Sequence, residues 1–145
     1  MTPGIPILPN ATVIDMEKPR FMADSNVLID TLNHKLDFAA FIDTLPDCEL
    51  YINPVIWVET LAKPIMSSAE ETEARALLSW FLWADIDEYA LEKAVLIRRA
   101  EPKAMLLPDA LIAASAINLN ATVLSNDPHL RDFQWDGYKA RPIVQ

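Results

Sequence analysis

The sequence predicts an α/β fold, a mostly parallel central sheet flanked by helices on both faces. Three observations carry that expectation. Short apolar runs suited to buried strands alternate with stretches whose apolar residues recur at helical spacing. The segments between successive runs are long enough for the crossovers that parallel strands need. The length, 145 residues, suits one domain with one sizeable core.

Taken in order, residues 1–19 stand apart as a proline-rich arm. Pro3, Pro6 and Pro9 favour extended chain there, and only Ala11–Ile14 reads as a short strand. The folded domain is expected to span residues 20–145. Phe21–Ala23 reads as the first strand and Val27–Leu32 as the first helix, with Asp24-Ser25-Asn26 as the turn or cap between them. Leu36–Leu45 reads as a second helix, broken by Pro46-Asp47, and Glu49–Ile52 as a second strand. Asn53-Pro54 starts the next helix, Asn as N-cap and Pro at the first helical position. Ser67-Ser68 starts another, with Glu70, Glu71 and Glu73 near its positive end and Leu77, Leu78, Phe81 and Leu82 as its apolar face. Trp80, Phe81 and Trp83 then form an aromatic cluster on that helix, read as core or partner-interface packing ahead of a surface for stacked bases. Asp87–Arg99 is amphipathic and ends in basic residues. Leu107-Pro108 opens a helix to about Leu119 that is apolar nearly all round and therefore buried. Ala121–Leu124 reads as a strand, Asp127-Pro128 as the start of a short helix, and Tyr138–Val144 as an edge strand able to tolerate Pro142.

Composition excludes several function classes. Apolar residues make up 52% and charged residues 23%, too apolar for a disordered chain. No run reaches the roughly 18–20 apolar residues of a membrane span, and the opening MTPGIPILPN lacks the pattern of a signal peptide. The single cysteine, Cys48, permits neither an internal disulfide nor a cysteine metal cluster. The expected location is the cytoplasm, without a membrane partner. Two glycines, Gly4 and Gly137, exclude a Walker loop and GxGxxG. A net charge of −9 argues against a general nucleic-acid-binding module, although bound divalent ions can neutralise clustered carboxylates locally.

Four acids interrupt apolar surroundings: Asp24 after the first strand, Glu59 beside an apolar helix stripe, Asp109 in the first turn of the buried helix, and Asp127 after the strand ending at Leu124. Singly, each has an ordinary explanation as a helix cap, a dipole partner or a solvated side chain. Together they say more. In parallel sheets the ligand crevice lies beyond the carboxyl ends of the strands. Asp24 and Asp127 fall at such ends, and Asp109 starts a helix facing the same crevice. Carboxylates brought together repel unless a cation intervenes. Carboxylate oxygens suit Mg²⁺ or Mn²⁺, and too few histidines and cysteines are present for zinc. Acid clusters of this kind serve in-line phosphodiester hydrolysis.

The segment FMADSNVLIDTL resembles the opening strand and first acidic motif of PIN-domain ribonucleases. VIWVETLA resembles the helix that carries their glutamate, and LLPDALIAASAINLNATVLSNDPHLRDF resembles their long C-terminal signature. Within that family the chain is most similar to VapC-type toxins of bacterial toxin–antitoxin pairs. The resemblance covers residues from Arg20 onward. It implies a PIN-like fold, an Mg²⁺- or Mn²⁺-dependent endoribonuclease acting on RNA and a cognate antitoxin, and part of the apolar surface on the first two long helices is expected to serve a homodimer or that antitoxin. Asp24, Glu59, Asp109 and Asp127 match the acidic quartet as catalytic and metal-binding residues. Asn26 matches a polar position after the first Asp, and Ser125 a hydroxyl position that would orient the Asp127 carboxylate. The proline-rich arm, Trp57 before the glutamate and the scarcity of glycine depart from the pattern.

Two other classes compete. A catalytically silent PIN-like module would keep the fold and bind a protein. A response-regulator-like phosphoacceptor would need paired acids after the first strand, where Ser25 follows Asp24 instead, and a lysine near Asp127. Arg98 and Arg99 read as charges favouring a helix C-terminus, with RNA phosphate contact as the competing role. Lys103, Arg131, Lys139 and Arg141 read as scattered surface charge ahead of a basic rim, and His129 as a surface helix-turn residue near Asp127 ahead of a substrate contact.

Overall fold

The computed structural model describes residues 18–144. The strands are β1 (Arg20–Ala23), β2 (Glu49–Ile52), β3 (Leu82–Trp83), β4 (Thr122–Leu124) and β5 (Lys139–Arg141). They form one sheet in the order β3-β2-β1-β4-β5, and every neighbouring pair is parallel. The strand expected at Ala11–Ile14, and most of the expected arm, lie outside the described residues.

The helices are α1 (Ser25–Leu32), α2 (Phe38–Ile42), α3 (Pro54–Leu61), α4 (Ser68–Leu78), α5 (Glu88–Ala100), α6 (Leu107–Leu119) and α7 (Pro128–Arg131). α1, α3 and α4 pack on one another, and α5 packs along α6. Parallel connections are right-handed, so the path from β1 outward to β3 and the return from β3 to β4 put these two groups on opposite faces. Both faces of β1 are therefore covered, and Phe21, Met22 and Ala23 are all buried. Ile52, Ile56, Ile97, Ile112 and Leu124 join them in the core, each such side chain contributing about 1.5–3 kcal/mol by leaving water.

The caps explain where several helices begin. Asn53 accepts the Ile56 N–H at 2.9 Å ahead of Pro54. Ser67 and Glu70 form a reciprocal capping box. Asp87 caps α5 through the Ala90 N–H and also accepts the Asn118 amide of α6 at 3.1 Å, tying the two helices together. α6 ends on Asn120 in the left-handed region, φ 56°.

Three boundaries differ most from expectation, and the first is the final strand, expected over Tyr138–Val144, which covers only Lys139–Arg141 because Pro142 follows it. The second helix covers only Phe38–Ile42, because Asp37 caps it late by accepting the Ala40 N–H. The fourth stops at Leu78, and Leu82 and Trp83 belong to the edge strand β3, paired with Tyr51 and Ile52. Trp80, Phe81 and Trp83 are therefore no helical cluster. Phe81 packs into the core against Phe38, while Trp80 and Trp83 are exposed on the sheet's outer edge. Trp57 packs beneath the Arg75 guanidinium, 5.4 Å from the ring centroid.

Candidate active site

The sheet order puts the reversal of direction between β1 and β4: the chain leaves β1 toward β2 on one side, and β4 lies on the other. A crevice opens beyond the carboxyl ends of two such strands. Asp24 follows β1 directly, and Asp127 follows β4 by three residues. α3 brings Glu59 to this end of the sheet, and the first turn of α6 brings Asp109.

Asp24 is 2% exposed and occupies the N-cap position of α1, yet its side chain makes no capping hydrogen bond. It is held instead from β4. Ser125 Oγ donates to Asp24 Oδ2 at 2.7 Å and accepts the Asp127 backbone N–H at 3.0 Å. Ser125 thus positions the Asp24 carboxylate, whereas the sequence reading gave it the Asp127 carboxylate. Backbone bonds reinforce the join, from Asp24 N–H to the Leu124 carbonyl and from Ser125 N–H to the Arg141 carbonyl, both 3.1 Å.

Ser25 was not singled out as a site residue, and the structure gives it a clear place. Its buried hydroxyl donates to Glu59 Oε1 at 2.8 Å and lies 3.4 Å from Asp24 Oδ1. With one proton to give, the hydroxyl serves the shorter contact. The only signal in the sequence was a small hydroxyl residue directly after the first acid. Asn26 is exposed, and its backbone N–H lowers the Asp24 pKa. Asp127 combines both roles considered for it: Oδ1 caps α7 through the His129 N–H at 3.0 Å while the carboxylate stays at the crevice.

The electrostatics follow from crowding. Burial raises the Asp109 pKa most, and Asp127, Asp24 and Glu59 raise it further, to about 6; His129 opposes the shift. Asp24 is also raised, first by burial and then by Asp127 and Glu59, against the hydrogen bond from Ser125 and the nearby Asn26 backbone N–H. The Tyr138 hydroxyl is driven upward by burial and by Asp24, Asp109 and Asp127, and it donates to the Leu130 carbonyl at 2.6 Å. All four candidate acids therefore share one field.

Asp109, Asp127 and His129 offer donor atoms within 4.8 Å of one another. The donor set fits a hard divalent ion: it consists mainly of carboxylate oxygens, and their mutual repulsion is what such a charge relieves. Other candidates lie apart. Arg98 Nη1 donates to the Pro102 and Met105 carbonyls at 2.7 and 2.8 Å, bracing the loop ahead of α6. Arg131 pairs with Asp132 on the surface.

A family model described as the PIN domain matches residues 21–136. No curated protein matches the chain at the sequence level. Several solved structures match its fold. A chain of the VapBC2 complex of Rickettsia felis, bound to a promoter DNA fragment, superposes with a TM-score of 0.72 at 16% identity, covering 85% of this chain and 98% of that one. A chain of DNA-bound VapBC from Salmonella typhimurium gives 0.71 at 22% identity, covering 87% and 99%. A chain of a toxin–antitoxin complex from Klebsiella pneumoniae gives 0.65 at 25% identity, covering 81% and 93%.

Proposed function

The chain belongs to the PIN-domain family, and from that premise we propose that it is a metal-dependent endoribonuclease and the toxin of a toxin–antitoxin pair. The observation that carries this reading is the convergence of Asp24, Glu59, Asp109 and Asp127 at the switch point of the sheet, where their repulsion and burial push Asp109 to about 6. These four side chains would hold Mg²⁺ or Mn²⁺. When bound, such an ion lowers the pKa of an attacking water and stabilises charge on the phosphoryl oxygens.

The chain's own groups do the rest. Ser125 and Ser25 hold Asp24 and Glu59 in place before substrate arrives. Asp109, pushed up to about 6, is largely ionised by neutral pH and so would be ready to serve as a ligand. The crevice carries no covalent nucleophile in this mechanism, since water attacks directly.

A groove of about 330 Å³ runs between α1 and α3, lined by Ile29, Leu32, Thr60, Lys63 and Met66 together with the acids Glu59, Glu70 and Glu73. Its apolar floor and net negative rim suit a cationic segment of an antitoxin. Leu91 and Val95, one turn apart and exposed on α5, would supply apolar contacts for a homodimer. Among the described residues no helix is long and apolar enough to cross a membrane, and the reading assigns the protein to the cytoplasm.

The test is cleavage of RNA by the purified chain with Mg²⁺ or Mn²⁺, with chelator and with Asp109→Asn or Asp24→Asn as controls. Cutting that disappears in every control, alongside growth inhibition lost in the same folded variants, is the expected result. A folded wild-type chain, free of antitoxin, that cuts no RNA would turn the reading toward a silent binding module.

A further inference from the structure

We propose that the pocket walled by Trp135 and Phe133, beside the acidic centre, is a subsite for one nucleobase of the RNA strand. The proposal rests on the ribonuclease reading and names how the strand is held next to the scissile phosphate.

The pocket has a volume of about 340 Å³ and lies between the α5–α6 connection, at Glu101 and Ala104, and the chain from Pro128 to Trp135. That is the small end of the range for small-molecule sites, roughly 300–1,000 Å³. His129 belongs to both places. It lines the pocket, and it offers a ring nitrogen within 4.8 Å of donor atoms of Asp109 and Asp127. A group seated in the pocket is one side chain away from the acids, as the base of a nucleotide is from a phosphate held there.

The lining chemistry selects a base over a phosphate. Among the described residues no lysine or arginine lines the pocket, whereas Glu101 and the Arg131-paired Asp132 do, so nothing there draws an anion. The wall is a fixed aromatic stack. Phe133 is buried, with Tyr138 edge-on at 5.1 Å and Trp135 nearly parallel at 5.8 Å and 19°. The Tyr138 hydroxyl bond to the Leu130 carbonyl fastens the stack to α7. Trp135, its outer member, is only half-buried. Aromatic rings that meet solvent in a pocket are the platforms on which single-stranded bases stack. At the rim, the exposed Gln134 amide both donates and accepts, as the Watson–Crick edge of a base requires.

The experiment titrates the full chain with the 5′-monophosphates of adenosine, guanosine, cytidine and uridine, and with ribose 5-phosphate, while following the Trp135 indole N–H by NMR. Trp135→Phe assigns that signal. The expected result is a shift with at least one nucleotide and none with ribose 5-phosphate. Gln134→Ala should weaken binding about fivefold and change the order of preference among the bases. Equal shifts with ribose 5-phosphate, or no shift with any nucleotide at millimolar concentration, overturn the subsite. RNA cleavage separates this proposal from the reading beneath it. If the wild type cuts RNA and both Trp135→Ala and Gln134→Ala cut with unchanged KM and base preference, the subsite fails and the nuclease stands. If nucleotides bind at Trp135 in a chain that cuts nothing, the nuclease reading fails and the base site stands. Gln134 is exposed, so its variant keeps the test decisive should Trp135→Ala not fold.

Discussion

Asp109→Asn should make the metal-free protein more stable at neutral pH while abolishing its activity. Asp109 has its pKa raised from 3.8 to about 6, which corresponds to about 3 kcal/mol at 1.36 kcal/mol per pH unit. The side chain is only half-buried, and screening by water reduces that figure to about 1–2 kcal/mol. The sign follows from proton counting. Between pH 3.8 and about 6 the folded state binds more protons here than the unfolded state, so stability falls as pH rises through that window. Below it both states are protonated and Asp109 costs nothing. Above it the whole penalty is present. Asparagine cannot ionise and never incurs it. The assay is urea unfolding in chelator at pH 4 and pH 8. The variant should match the wild type at pH 4 and exceed it by about 1–2 kcal/mol at pH 8, about 3 °C in melting temperature per kcal/mol. Added Mn²⁺ should then raise the wild type past the variant, because only the wild type keeps the full ligand set. A variant no more stable than the wild type at pH 8 in chelator would refute the view that the acids are held together against their repulsion.

Metal binding itself should depend on pH: below about 6, affinity for Mn²⁺ measured by calorimetry should rise by up to about tenfold per pH unit as Asp109 loses its proton, and flatten above. Ser125→Ala removes the 2.7 Å donor to buried Asp24 and strands the Asp127 N–H, so it should cost about 1–3 kcal/mol in a denaturant melt and lower RNA cleavage. Arg98→Ala should destabilise the chain by about 1–3 kcal/mol by freeing the Pro102 and Met105 carbonyls, and it should leave the salt dependence of RNA binding unchanged; a slope reduced by about one would assign Arg98 to a phosphate instead.

Residues differ in how plainly the sequence announces them. α6 was legible from end to end because its apolar residues surround the helix and Leu107-Pro108 marks its start. β3 was not, since two residues carry no period and both are half-exposed at the sheet edge, so Leu82 read as one more position of the preceding helix. The acids stood out as charges in apolar surroundings, and the sheet order brings Asp24 and Asp127 to one crevice. The hydroxyls that hold them did not stand out. Ser25 meets Glu59 across 34 positions and Ser125 meets Asp24 across 101, and no local pattern encodes a partner at that distance. Phe133 and Trp135 were similarly mute, because a wall becomes visible only once α7 and the α5–α6 connection face each other across it.

The bond between Ser125 and Asp24 also sets a timetable for synthesis. A ribosome delivers Asp24 early, but the hydroxyl that fixes it arrives 101 residues later. At roughly 5–20 residues per second, several seconds separate the two. During that interval β1 has only one of its two neighbours available, and the first acid lacks its anchor. A chain cut short before β4 therefore carries three of the four acids on an incomplete sheet, without Asp127 and without the Ser125 hydroxyl. Under the toxin reading, the cell making this protein is guarded by topology from translation products abandoned before β4, with harm deferred until that strand and Ser125 have been made.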